Sequence, residues 1–293
     1  MRFEVTHLTR YAYDAPVRLG PHRLMLRPRD SHDLRLIEAT LRVSPKAVIE
    51  WRHDVFGNSV GRAAFEGETA TLDVESRLVL ERYPPPPDET APDRRRHPFA
   101  YEADDRVDLG ALLTPERLED AEAVKAWAQG AMGLDESANP PVPELLRRLT
   151  AAIHGAIRYE ARETEGTQSA RETLTRGAGT CRDLAQLMIE AARAFGFGAR
   201  FVTGYLYSPG LDGAAGPETV GAAATHAWAD VYDPDLGWVA FDPTNDAVES
   251  RDLIRVATVR APRQAAPVAG SFTGDAQATM TVSVRVRALG PAG

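Results

Sequence analysis

The run Pro84 to Pro87 divides the chain into two parts with different patterns. A strand cannot pass through it, because four consecutive prolines lack the backbone N–H that a β-ladder needs. Before the run, apolar residues alternate in short segments bounded by Pro, Gly and Asp, which is typical of antiparallel strands. Such segments hold Phe3 and Val5, Leu24 and Leu26, Leu34 and Leu36, Leu41 and Val43, and Leu72 to Leu80. We predict an N-terminal β domain, β-sandwich-like, over residues 1–83, and a Pro-rich, extended linker over residues 84–110.

Helix patterns follow the linker. The first predicted helix begins at Thr114-Pro115-Glu116 and runs through Trp127, and the second begins at Pro143. The third begins at Cys181, where apolar residues start to recur at three- and four-residue steps. It should end at Gly196, since glycine suits a left-handed helix cap.

Strand patterns follow the helices. Three apolar runs with β character lie at residues 200–207, 226–232 and 238–241. Helices followed by a sheet indicate an α+β core, which we assign to residues 111–247. The remaining tail, residues 248–293, ends in an alternating run that predicts a C-terminal strand, and the N-terminal sheet is a candidate partner for it.

Composition and charge exclude several classes of function. The net charge of −8 works against binding to nucleic acid. One cysteine permits neither an internal disulfide nor a cysteine zinc cluster, and it fits a reducing compartment. The first residues lack the apolar core of a signal peptide, and no run of about 18 apolar residues predicts a membrane span. We expect a cytoplasmic protein without membrane contact; the sequence gives no indication of subunit number.

Cys181 is the candidate nucleophile. A thiol in the first turn of a helix lies beside unpaired N–H groups and the positive end of the helix dipole, and both favour the thiolate. A lone cysteine is nevertheless most often an inert core residue, so its position needs support from a base and an orienting acid.

Among the histidines, His226 is the candidate base. It begins an apolar strand directly after a long Gly- and Ala-rich loop, residues 208–225, that we interpret either as a flap beside the site or as an insertion. Five of the other histidines are interpreted as solvated or packed surface residues: His7, His22, His32, His53 and His97. His154 lies within a predicted helix and is interpreted as a core or surface residue of that helix. They are scattered with no pair at i,i+4, so we expect no metal site and no cofactor.

Asp242 is the candidate orienting group. It follows the strand Gly237 to Phe241 and precedes Pro243, which places it at a strand end. If this strand pairs with the preceding one through the turn at residues 233–237, the carboxylate reaches the level of His226. An ordinary Asp-Pro turn is the alternative interpretation.

Three ordered motifs carry a family resemblance. Residues 177–185, with the sequence GAGTCRDLA, residues 225–232, THAWADVY, and residues 237–245, GWVAFDPTN, together resemble the bacterial transglutaminase-like family. Residues 157–159, 169–174, 26–29 and 54–58 extend the resemblance over most of the chain. It implies a papain-like, transglutaminase-like core in which a helix carrying the cysteine packs on an antiparallel sheet. It also implies Cys181 as nucleophile, His226 as base and Asp242 as orienter. Thr180, Leu184 and Gln186 depart from the family pattern, but none of them replaces a reacting group.

The resemblance implies thiol-dependent acyl transfer on a peptide or protein amide through a thioester acyl-enzyme. A cysteine protease or amidase is slightly preferred over a protein-glutamine transglutaminase, because no segment indicates an amine-binding pocket. A non-catalytic peptide-binding module on the same fold is the alternative, and an arylamine acetyltransferase is a third candidate. The backbone N–H of Cys181 and the phenol of Tyr159 are the candidate donors to the oxyanion.

Overall fold

A computed structural model describes residues 1–83, 94–135, 137–162, 166–212 and 224–290. The helices are α1 (Ala103–Leu109), α2 (Leu118–Met132), α3 (Val142–Ala156), α4 (Ala170–Arg176) and α5 (Cys181–Ala194). The strands before the helices are β1 (Arg2–Leu19), β2 (His22–Arg27), β3 (Leu34–Ser44), β4 (Ala47–His53), β5 (Ser59–Phe65) and β6 (Thr69–Arg82). The others are β7 (Arg158–Tyr159), β8 (Ala178–Gly179), β9 (Ala199–Leu206), β10 (His226–Asp233), β11 (Gly237–Asp242), β12 (Ala247–Val248), β13 (Leu253–Val259), β14 (Val268–Ala269), β15 (Phe272–Thr273) and β16 (Ala278–Leu289).

Two sheets form the N-terminal β region. One has the order β16–β1–β6–β3, with β15 pairing the end of β1, and the other has the order β14–β2–β5–β4. The sheets share a cluster of buried apolar side chains, among them Leu24 and Leu26 from β2 and Leu72 and Val74 from β6. Inward-facing apolar residues alternate with polar ones along these strands, which is why this part of the sequence shows period-two patterns.

The second half of the chain is a five-stranded antiparallel sheet with helices packed against it. The strand order is β12–β11–β10–β9–β13, and α5 packs against β9 and β10 while α2, α3 and α4 surround it. Helix α5 begins at Cys181 as the sequence predicts, and Gly196, just after its end, has a φ of 87°. Because neighbours enclose it on nearly every side, its polar residues Asp183, Gln186 and Glu190 are also buried. The predicted α+β fold, with a helix that carries the cysteine packed on an antiparallel sheet, is confirmed.

The C-terminal strands are shared between the two halves. Strand β13 pairs with β9, so the core sheet extends beyond residue 247. Strand β14 then pairs with β2, and β16 pairs with β1 from Arg2↔Leu289 to Tyr13↔Ala278. The side-chain amide of Asn58 also spans the halves: it donates to the Thr258 carbonyl at 2.7 Å and accepts from the Thr258 N–H at 2.9 Å.

The structure corrects several local predictions. The linker is not extended throughout, because α1 occupies its last part, and Pro84 to Pro87 lie outside the described residues. Most of the predicted flap, residues 213–223, also lies outside them. The surface positions predicted for His7 and His22 are wrong, since both side chains are buried. No helix in the described ranges is both long and apolar enough to cross a membrane.

Candidate active site

A buried carboxylate fixes the backbone that leads into Cys181. Asp183 Oδ2 accepts hydrogen bonds from the Thr180 N–H at 2.8 Å and the Thr180 hydroxyl at 2.9 Å. Its Oδ1 accepts from the Gln168 N–H at 2.7 Å and from Arg162 at 3.2 Å. Thr180 is the N-cap of α5, so these bonds hold the residue before the thiol in place.

A short parallel strand pair places Tyr159 beside this segment. Tyr159 lies opposite Gly179 in the register of β7 and β8, and the next N–H, that of Glu160, donates to the Gly179 carbonyl at 2.8 Å. The Tyr159 side chain is 36% exposed, whereas Cys181 is 8% exposed. The phenol therefore lies at the solvent edge of the site, where a substrate group can reach it.

His226 is held at the start of β10 by close packing. It lies opposite Gly204 of β9, and its ring stacks on Trp228 with the centroids 6.2 Å apart. A Cβ atom at Gly204 would lie 2.1 Å from the Ile254 carbonyl oxygen and 2.9 Å from the Trp228 ring. Glycine is therefore required at the position that supports the candidate base.

Asp242 meets His226 in the interior. His226 Nε2 and Asp242 Oδ2 are 2.8 Å apart, and each residue is only 1% exposed. Asp242 Oδ2 also accepts from Asn245 Nδ2 at 2.8 Å, and Oδ1 accepts from the Thr244 N–H at 3.0 Å. His226 Nδ1 forms no hydrogen bond with the described residues and is the ring nitrogen left for Cys181.

The two buried groups shift each other's pKa. Burial lowers the pKa of His226, but the charge and hydrogen bond of Asp242, together with Cys181, raise it above its ordinary value. Burial raises the pKa of Asp242, but His226, Asn245 and the Thr244 N–H lower it below its ordinary value. The arrangement therefore favours a protonated imidazole between the Asp242 carboxylate and the Cys181 side chain.

Three residues that support the site were not predicted from the sequence. Asn245 and Asp183 belong to the recognised motifs, but their contacts depend on side-chain positions that the motifs do not specify. His154 lies on α3, and its Nδ1 atom is 3.2 Å from the Pro243 carbonyl oxygen. This histidine therefore packs against the segment that follows Asp242. In the described part of the chain, no group of three or more His, Cys, Asp or Glu residues is arranged to hold a metal ion.

Two family models and several known proteins match this chain. Residues 3–81 match the Bacterial transglutaminase-like N-terminal region, and residues 116–243 match the Transglutaminase-like superfamily. Rv2569c of Mycobacterium tuberculosis is 30% identical over 97% of this chain and 92% of its own length. ML0607 of Mycobacterium leprae is 24% identical over 98% of this chain and 99% of its own length.

A solved structure shares the fold over the whole chain. It is a Cytophaga hutchinsonii protein, provisionally named a cysteine protease, that is 21% identical with a TM-score of 0.70. The match covers 100% of this chain and 92% of that one. The superfamily match supports a thiol-dependent enzyme. The matched regions and the 30% identical relative together show the family. This chain belongs to the transglutaminase-like superfamily.

Proposed function

We propose that this protein catalyses acyl transfer from a peptide or protein amide through a thioester on Cys181. The observation that carries the proposal is the buried 2.8 Å contact between His226 and Asp242, which leaves His226 Nδ1 for a thiol at the start of α5. A nucleophile, a base and a group that orients the base are the three parts that such chemistry needs.

In the proposed reaction, Cys181 Sγ attacks the carbonyl carbon of the amide while His226 holds the thiol proton. The oxyanion that forms accepts from the Cys181 N–H, with the Tyr159 phenol as the candidate second donor. His226 gives its proton to the amide nitrogen as the C–N bond breaks, and an amine leaves. Water then gives a proton to His226 and attacks the thioester, and the bond to sulfur breaks to release a carboxylic acid. An amine that attacks in place of water forms a new amide.

Hydrolysis is our preferred outcome, which makes the protein a cysteine protease or amidase. No segment of the sequence indicates an amine-binding pocket, and water is abundant. Incubation with a labelled primary amine and a glutamine-containing protein separates the two outcomes. Cleavage products support the hydrolase, whereas covalent incorporation of the amine supports the transferase.

The nucleophile is tested by alkylation with iodoacetamide, followed by intact-protein mass spectrometry. We expect rapid, stoichiometric labelling that is lost in Cys181→Ala and slowed strongly in His226→Ala with the fold retained. Slow labelling in the native protein, at the rate of an ordinary thiol, would contradict the proposal. Peptide binding that survives Cys181→Ala, with no turnover of any peptide, would instead favour the non-catalytic binding module.

A further inference from the structure

The last turn of α3 places a histidine against the segment that follows Asp242. His154 Nδ1 lies 3.2 Å from the Pro243 carbonyl oxygen. A carbonyl oxygen only accepts hydrogen bonds, so Nδ1 carries a proton and donates it. The His154 side chain is exposed, whereas its neighbours Ile153 and Ile157 are buried. Packing of the apolar core therefore does not explain a histidine at this position, and the bond to Pro243 is its specific contact.

The carbonyl group that His154 binds belongs to the same peptide unit as the Thr244 N–H. This N–H donates to Asp242 Oδ1 at 3.0 Å, and Asp242 Oδ2 lies 2.8 Å from His226 Nε2. A peptide unit is planar and rigid, so a partner that fixes its C=O group also fixes the direction of its N–H. Hydrogen bonds in such a chain also polarise and strengthen one another. An unbroken chain of hydrogen bonds therefore runs from His154 to His226.

The polar groups of Pro243 and Thr244 provide little other anchorage for this peptide unit. Pro243 has no backbone N–H. The Thr244 side chain is buried, and its hydroxyl forms no hydrogen bond within the part of the chain that the structure describes. The bond from His154 is therefore placed to set the orientation of the unit.

The segment that follows His154 contacts the nucleophile side of the site. The Glu160 N–H donates to the Gly179 carbonyl oxygen at 2.8 Å, and Gly179 is two residues before Cys181. The end of α3 and strand β7 thus connect the two sides of the site. The His154 side chain makes the contact on the Asp242 side, and the backbone makes the contact on the Cys181 side.

We propose that His154 is a positioning residue of the reaction and acts on His226 through this peptide unit and Asp242. By holding the peptide unit, it keeps the carboxylate directed at the imidazole. A well-directed carboxylate stabilises the protonated form of His226, and a protonated imidazole beside Cys181 favours the thiolate. This inference rests on the proposed function, because it takes His226 as the base for Cys181.

Two substitutions of similar size separate the hydrogen bond from packing. Asparagine keeps an N–H donor on the atom bonded to Cγ, as histidine does, whereas leucine has a methyl group there. We expect His154→Leu to slow alkylation of Cys181 by iodoacetamide about fivefold at neutral pH, the effect of one hydrogen bond. The rise of its rate with pH should also move to higher pH, because a less stabilised His226 lets the thiol keep its proton.

His154→Asn should retain the native rate and the native pH profile. His53→Leu is the matched control: it removes an exposed histidine of β4, in the N-terminal β region, and should also leave both unchanged. Circular dichroism shows whether each variant is folded. Equal losses of rate in His154→Asn and His154→Leu would overturn the inference, because the hydrogen bond would not be their cause.

A double-mutant cycle tests the route through Asp242. In an Asp242→Ala background no carboxylate remains to be directed, so His154→Leu should cause no further loss of labelling rate. The same loss as in the native background would overturn the inference, since His154 would then act by another route.

The outcomes separate this inference from the proposed function. Rapid labelling of the native protein, with an unchanged rate and pH profile in His154→Leu, overturns the inference alone. Slow labelling of the native protein, at the rate of an ordinary thiol, overturns the proposed function and this inference with it.

Discussion

Asn245 Nδ2 donates to Asp242 Oδ2 at 2.8 Å, the same carboxylate oxygen that contacts His226 Nε2. Together with the Thr244 N–H on Oδ1, this bond fixes the plane of the carboxylate against the imidazole. Asn245 is therefore a positioning residue for the candidate base, and it acts through Asp242.

Asn245→Ala should slow alkylation of Cys181 about tenfold, because a hydrogen bond to a charged group contributes about 1.5 kcal/mol. The rate is measured with iodoacetamide over a pH series. A less firmly held Asp242 stabilises the protonated His226 less, so the pH range over which Cys181 is labelled rapidly should become narrower. Asn139→Ala is the control: it also removes a hydrogen-bonded amide, an exposed one that contacts Arg96 and the His97 carbonyl and not Asp242. An unchanged pH profile in Asn245→Ala would show that Thr244 alone positions the carboxylate.

Asp183→Asn should destabilise the protein by about 3–5 kcal/mol, because it leaves the largely buried Arg162 without the charge of its fully buried partner and disturbs the Thr180 cap. Urea unfolding measures the loss, and Cys181 labelling should slow in the folded variant. Glu172→Gln, which breaks an exposed pair with Arg176, should change stability by less than about 1 kcal/mol. Equal effects of the two substitutions would refute the anchoring role of Asp183.

Gly204→Ala should destabilise the core sheet by about 3 kcal/mol or more, because the added methyl group overlaps the Ile254 carbonyl oxygen and the Trp228 ring. We expect slower Cys181 labelling as well, since Gly204 lies opposite His226. Gly155→Ala is the matched control: it lies in α3 with no atom within 4 Å of the new methyl group. That change should stabilise the protein by about 0.5–1 kcal/mol. Thermal unfolding of both variants gives the comparison.

His7 should make stability depend on pH. It is fully buried between the two halves, with Nδ1 3.0 Å from the Tyr205 hydroxyl and Nε2 2.9 Å from the Thr9 hydroxyl, and burial lowers its pKa to about 4. The unfolded chain therefore binds more protons than the folded one between pH about 4 and 6.5, so stability falls as the pH falls through that window. The loss attributable to His7 should reach about 3 kcal/mol.

Urea unfolding at a series of pH values checks this. His7→Gln should show a smaller dependence on pH in that window than the native protein. Tyr205→Phe removes one hydrogen bond but keeps the histidine, so it should lower stability at every pH with the dependence retained. If stability depends on pH equally in His7→Gln and in the native protein, other titratable groups cause the dependence.

Local patterns predicted the start of α5 at Cys181 and the strands that hold His226 and Asp242. Periodicity of three to four residues marks a helix face, and a short turn between two apolar runs almost fixes their antiparallel pairing. These signals depend only on residues that are close in the sequence, so these elements could be predicted without the structure. The three ordered motifs also indicated the family, because their order and spacing are specific even though each motif alone is a weak signal.

The contacts of Asn245, Asp183 and His7 were beyond such signals. Each depends on a side chain that turns toward a partner placed by another element, and the same residue types commonly lie on surfaces or in turns. The buried His7, for example, bonds to Tyr205, which is nearly 200 residues away in the chain.

The sequence by itself determined that a β region precedes an α+β core, where the nucleophile begins its helix, and which family the chain belongs to. Tertiary structure decided where the C-terminal strands dock: β13 on the core sheet, and β14 and β16 on the N-terminal sheets. The physical reason is that alternation shows which face of a strand is buried, whereas the choice of partner is made by open sheet edges that form only when distant parts of the chain meet.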